Sequence, residues 1–279
     1  MSKRRSLLRS IGRWGLWLVV VLLVLFALQV TVLAFPQILF SNHLQSGSVV
    51  VYFDGQPRDE IARMTENVEM RLRGSGYYDS SRTARVFFFD SQSKYAFFAR
   101  LSLVTTKAQG FALSVFNNTY ISGPNIAALA QMTGGRPRYG IWEGDPAHTI
   151  AHEIGHNYMI DRIGRDTWIE LPQWKQEGFP EYVANIALIH SDTTATLPHR
   201  IDILADGQYW DWQQRWDRKH YEAALLVEFL FDVQGLTLDD IVAESVTRNG
   251  THTAMVEWRI GQGTIPTSPS ESVGAALDQ

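Results

Sequence analysis

Hydrophobic positions fall into three patterns along the chain. Residues 14–35 (WGLWLVVVLLVLFALQVTVLAF) carry no charge and one strongly polar residue, Gln29. As a helix rising about 1.5 Å per residue, this run spans about 33 Å, against about 30 Å for the hydrocarbon core of a bilayer. It is apolar all round rather than on one stripe, so it predicts a transmembrane helix. A cleaved signal peptide is the competing reading, with Val32-Leu33-Ala34 at plausible cleavage positions. The run exceeds the usual apolar core of such peptides, about 7–15 residues, which favours the anchor.

The second pattern alternates short apolar runs with amphipathic ones. Residues 48–53 (SVVVYF), 84–89 (ARVFFF), 110–116 and 119–122 predict strands, with a turn or bulge at Asn117-Asn118. Between them, residues 57–73 place Ile61, Met64, Val68 and Leu72 at helical spacing and stop at Gly74-Ser75-Gly76. A short helix is expected over 91–101. Strand–helix alternation of this kind builds a sheet with helices packed on it. Gly134-Gly135, Pro137, Gly140, Gly144 and Pro146 then predict a long loop.

The third pattern is helical. Helices are expected at about 146–160, 176–190, 218–233 and 237–248. The Gly-, Pro-, Ser- and Thr-rich stretch 261–279 predicts a disordered tail.

Charge adds orientation. The chain has 25 Lys+Arg against 29 Asp+Glu, a net charge of -4 that excludes a strongly basic nucleic-acid binder. Lys3, Arg4, Arg5, Arg9 and Arg13 precede the apolar run, and no acid lies within residues 1–40. The remaining 20 bases and 29 acids give the rest of the chain -9. The positive-inside rule then places 1–13 in the cytoplasm and the region after about residue 40 outside it. There is no cysteine. Disulfides, Cys-ligated zinc, iron–sulfur clusters and thiol nucleophiles are therefore excluded. An exported chain without disulfides suits a bacterial cell envelope.

Chemistry concentrates at His152-Glu153-Ile154-Gly155-His156, an HExxH motif. Histidines four apart on a helix lie about 40° apart around its axis, so both rings point the same way and can bind one zinc ion. Glu153 sits directly after the first ligand and is placed to act as a general base toward water. Asp145-Pro146 has the form of an N-cap and first-turn pair. His148 falls one turn before His152, either near the metal or on the surface.

A third ligand is needed, and the metzincin positions for Gly and His hold Met159 and Arg162 instead. Further along the chain stands Trp174-Lys175-Gln176-Glu177-Gly178-Phe179-Pro180-Glu181-Tyr182. Here the chain resembles the gluzincin metallopeptidases, which include thermolysin and the aminopeptidase N-like enzymes. The resemblance implies that Glu177 is the third zinc ligand. It lies slightly farther beyond His156 than is usual in those families. Pro180 replaces the usual small residue and fits if Glu177 sits near a helix start. Glu181, one turn on, would orient His152 from outside the ligand set.

The segment Lys219-His220-Tyr221-Glu222-Ala223 resembles an aminopeptidase helix start. By that resemblance Tyr221 would stabilise the oxyanion, with His220 as the alternative, since thermolysin-like enzymes use a histidine. Residues 140–144 (GIWEG) look faintly like an aminopeptidase substrate strand but lie too close to His152 to serve as one. Residues 119–122 are the better candidate for an edge strand beside the cleft. Trp210, Trp212 and Trp216 read as packing more readily than as a binding platform.

The expectation is an α+β, zincin-like chain preceded by one transmembrane helix. An N-terminal mixed sheet with helices carries the active-site helix, and a C-terminal helical lobe comes after it. The segments are 1–13 cytoplasmic, 14–36 anchor, 41–260 gluzincin-like domain and 261–279 tail. The expected activity is zinc-dependent hydrolysis of peptide bonds outside the cytoplasm, on a peptide or protein substrate. The alternative is a catalytically inactive binding or scaffold protein at the membrane.

Overall fold

The computed structural model describes residues 2–133, 145–191, 196–206 and 215–263. The long loop predicted over 134–144, with its GIWEG segment, lies outside them, as do Trp210, Trp212, the Trp216 side chain and residues 264–279.

Helix α1 (Ser2–Ala34) is continuous. Its Trp14–Ala34 part has mean hydropathy 2.8 and is long and apolar enough to cross a membrane. A 3₁₀ turn (Pro36–Leu39) leads from it into a five-stranded mixed sheet. The strands are β1 (Asn42–Ser46), β2 (Val49–Phe53), β3 (Ala84–Phe89), β4 (Gly110–Leu113) and β5 (Asn118–Ser122), in the order β1-β2-β3-β5-β4. The inner pairs β2/β3 and β3/β5 are parallel, and both edge strands pair antiparallel.

The period-2 alternation of strand side chains assigns the two faces. In β3, Val86 and Phe88 join Val49, Val51 and Ile121 on one face, beneath α2 (Arg58–Gly74), α5 (Pro146–Ile163) and α7 (Gln173–Ser191). Phe87 and Phe89 point the other way. They meet Tyr120, Phe111, and Tyr95 and Phe98 of α3 (Gln92–Leu101), together with Leu33 at the end of α1. The remaining helices are α4 (Gly123–Thr133), α6 (Arg165–Glu170), α8 (Leu197–Ala205), α9 (Arg215–Glu228), α10 (Leu238–Val242) and α11 (Arg248–Gly261). The fold is α+β, with eleven α-helices among the described residues.

Several expectations change. Residues 119–122 lie in β5, an interior strand between β3 and β4, so the sheet edge on this side is β4. Residues 114–116 form a 3₁₀ turn instead of continuing β4, and it ends at Asn117, whose φ of 51° an asparagine tolerates better than most residues. The helix expected at 237–248 is only the short α10, and a second, unexpected helix, α11, follows it. A capping box between Thr237 and Asp240 opens α10, and Thr247 caps the separate α11. Helix α7 begins at Gln173, earlier than expected. Pro180 therefore lies inside the helix, not in its first turn.

Two glycines set the spacing of the central helices. A Cβ at Gly155 of α5 would lie 2.8 Å from Pro180 Cα of α7. At Gly178 of α7 it would lie 2.5 Å from the Ala223 carbonyl oxygen and 2.7 Å from Val227 Cγ2 of α9. Both obstacles include backbone, which cannot rotate away. In an open helix, Gly→Ala gains about 1 kcal/mol. Here the sign reverses: Gly155→Ala and Gly178→Ala should each lower stability by about 1–3 kcal/mol. Gly261→Ala, with no atom within 4 Å of the new Cβ, should be neutral or stabilising. Thermal unfolding of the three variants in detergent checks this. Stabilisation by all three would mean the helices are not this close.

Candidate metal centre

Helix α5 starts where its sequence predicts. Asp145 Oδ1 accepts from the Ala147 amide at 2.9 Å, and Pro146 occupies the first turn. The other Asp145 oxygen accepts from Arg71 Nη2 at 2.7 Å. Arg71, on α2, is buried, and its Nη1 donates to the Ala184 carbonyl of α7 at 2.5 Å. One guanidinium thus ties α2 and the start of α5 to α7. Burial pushes its pKa down, opposed by Asp145.

Two turns into α5, His152 and His156 present their Nε2 atoms 3.2 Å apart. Glu177 Oε2 lies 3.5 Å from each. Among the described residues these three form one group whose donor atoms lie within 4.8 Å of one another and could hold a metal ion. Their side chains are 12%, 13% and 22% exposed, so the cluster is sheltered but reachable from solvent. Burial would raise the Glu177 pKa, but the two histidines outweigh it and hold the carboxylate well below its usual range.

Glu181, one turn beyond Glu177, is buried behind the cluster. Its Oε1 lies 3.2 Å from His152 Nδ1 and 3.5 Å from His220 Nδ1. Its Oε2 is 3.1 Å from both His148 Nε2 and Asn185 Nδ2. One carboxylate therefore faces three imidazoles. Burial opposes its charge, but His148 and His152 prevail and hold its pKa well below the usual value. Reciprocally, burial would lower the His152 pKa, and Glu181 and Glu177 raise it well above normal. This is the position from which a carboxylate fixes a ligating histidine's orientation.

Glu153 projects toward the sheet edge. A Cβ on Gly110 of β4 would lie 3.1 Å from Glu153 Cγ, so β4 passes directly over this side chain. Burial raises the Glu153 pKa, with His156 and His152 opposing.

The structure separates the two residues considered for the oxyanion. Tyr221 is buried among Ile201, Leu225 and Leu226, and its hydroxyl donates to the Arg200 carbonyl of α8 at 3.0 Å. The hydroxyl expected at the oxyanion is thus engaged with the backbone of α8. His220 stands at the cluster instead, its ring 6.2 Å from that of His152. His148, for which the sequence allows either the metal or the surface, is buried against Glu181. Sequence patterns do not point to Asn185 or Trp168. The ring of Trp168 lies edge-on to His156 at 6.3 Å. The only sequence signal for Asn185 is its place one turn after Glu181.

Compared with known proteins, the chain matches no protein-family model and no curated sequence. Geometry and residue chemistry therefore carry the functional argument.

If the group holds zinc, Glu181→Ala should lower the affinity by about 10–100-fold, since it removes a partner of His152 and none of the three candidate donors. Tyr221→Phe should leave zinc affinity unaltered and cost about 1 kcal/mol of stability through the lost hydrogen bond. Zinc competition against a chromophoric chelator, with parallel melts, separates these. Equal loss of affinity in both variants would contradict the placement.

Proposed function

We propose that this chain is a membrane-anchored zinc peptidase whose catalytic domain lies outside the cytoplasm. The observation that carries the reading is the convergence of His152, His156 and Glu177 beside Glu153. A tetrahedron of ligands about 2.05 Å from zinc has edges of about 3.3 Å. The donor separations of 3.2, 3.5 and 3.5 Å fit those edges.

Bound zinc would supply a Lewis acid that acidifies water and polarises a carbonyl. The chain's residues supply the rest. His152, His156 and Glu177 would hold the ion, and Glu181 would keep the His152 ring turned toward it. Glu153 takes a proton from the attacking water and returns it to the leaving amine, a role that favours a carboxylate raised toward neutral pH. His220, whose ring lies 6.2 Å from that of His152, would donate to the developing oxyanion. Among the described residues no strand pairs with the outer edge of β4, which runs over Glu153 and would offer backbone groups to an extended peptide. The chain's charge asymmetry supports the orientation, with residues 1–13 cytoplasmic.

The test is a peptide-library digestion with the full chain and with Glu153→Gln. The variant should retain about one zinc per chain, because its ligands are intact, and lose nearly all turnover. Chelator should abolish wild-type cleavage and added zinc restore it. Purified wild type without tightly bound zinc, or cleavage undiminished in Glu153→Gln, would refute the mechanism.

A further inference from the structure

Helix α1 ends inside the domain rather than on a tether. Leu33 is buried in the aromatic core, and its carbonyl accepts from Asn118 Nδ2 at 2.8 Å and from the Tyr120 hydroxyl at 2.7 Å. One turn earlier, Gln29 donates its Nε2 hydrogen to the Leu101 carbonyl at 2.7 Å. Gln29 is the one strongly polar residue of the apolar run, and its amide is spent on the domain. It lies about 7.5 Å along the axis before the helix end at Ala34. The end of α3 is therefore held at a level where α1 is still apolar enough to lie in lipid.

That end of α3 has a backbone conformation its sequence does not favour. Leu103 N donates to the Arg100 carbonyl and Val104 N to the Ala99 carbonyl, at 3.1 and 2.8 Å. These bonds are the Schellman pair, which puts the residue after the cap in the left-handed region. Glycine usually occupies that place, but here it is Leu103, with φ 58°. The side chain is 94% exposed, so packing against the described residues does not offset the cost of that backbone conformation. Phe97, one turn before Leu101, is also exposed, as are Phe35, Ile38 and Leu39 just past α1.

Charge agrees with the apolar residues. The domain is acidic as a whole, yet the first acid of the chain is Asp54 and none occurs between Ser91 and Trp142. Of the bases of the α3 region, Lys94 is paired with Asp54, and Arg100 and Lys107 are exposed.

We propose that the end of α3, with Phe97 and Leu103 as its apolar contacts, inserts into the bilayer beside α1, and that Arg100 and Lys107 meet anionic lipid headgroups above it. The occupant of this surface is lipid, because the surface is continuous with the apolar flank of α1 and fixed to it by Gln29. Amphipathic elements at an interface bury their apolar face about 5–10 Å into the headgroup–acyl boundary, which matches the depth of Gln29. The basic side chains can cover the apolar patch with their stems while their heads reach the phosphates. The proposal rests on α1 being membrane-spanning, and it does not require the metal centre to be active.

A chain without cysteine allows single labelled sites. The full chain, placed in phosphatidylglycerol–phosphatidylethanolamine vesicles, would carry an environment-sensitive fluorophore at Leu22→Cys, Phe97→Cys, Leu103→Cys or Glu257→Cys in turn. Lipids bearing a spin label near the headgroup and aqueous iodide are the two quenchers. The expected result is strong lipid quenching at positions 97 and 103, with iodide quenching several-fold weaker than at position 257. Labels at 97 and 103 open to iodide, while position 22 reads the hydrocarbon core, would overturn the insertion and leave the span intact. Labels shielded from iodide yet unquenched by the lipid would mean that protein, not lipid, covers the surface, and would also overturn it. An aqueous reading at position 22 would remove the span and the insertion together.

Discussion

The candidate site depends on how closely three helices approach one another. Helix α5 carries two histidines and a glutamate, α7 the carboxylates and α9 a further histidine. The two histidines share one helix, so the convergence that packing must supply is that of Glu177 and Glu181 of α7 and His220 of α9 onto α5. Glycine removes the obstruction at both crossings, and each glycine neighbours the chemistry. Gly155 lies between the two histidines of the motif and takes the backbone of Pro180. Gly178 stands next to Glu177 and takes the backbone of Ala223. The spacer residues of these short motifs are thus packing residues, and the candidate donors ride on the contacts they permit.

Charge then decides how the close-packed helices tolerate so many polar groups. Arg71, Glu181 and His148 are all buried, which would be costly for each alone. Each is paired. Arg71 spans Asp145 and a carbonyl of α7, and Glu181 is shared among His148, His152, His220 and Asn185. The network ties the N-terminal part of α5 to α7 and, through Glu181, holds the His152 ring of the candidate donor group. Preorganisation of this kind is what a metal centre requires of its surroundings.

Much of this is legible in the sequence because it obeys local rules. The apolar run, β3, the start of α5 and the amphipathic α2 come directly from composition, alternation, capping and helical spacing. Non-local features are not legible. Residues 110–113 (GFAL) and 118–122 (NTYIS) both read as short strands, and nothing in either says which is the sheet edge; the parallel placement of β5 on β3 decides it. Strand β1 is short, polar and half exposed, so it has no pattern to find. Helix α11 is hidden by Gly250 in its first turn, though Thr247 supplies a cap and Thr251, Met255 and Trp258 an inner face. At the site, neighbouring residues on a helix point about 100° apart. Of His220 and Tyr221 only one can face the donors, and only the packing of α9 on α7 and α8 decides which.

The central claim is that His152, His156 and Glu177 form one metal centre, and zinc-edge X-ray absorption on the full chain addresses it most directly. With no cysteine in the chain, the atoms bound to zinc must be nitrogen and oxygen, at about 2.0–2.2 Å. The account predicts scattering from the more distant ring atoms of two imidazoles, falling to one in His156→Ala. A spectrum with no imidazole scattering, or one unchanged by that substitution, would contradict it.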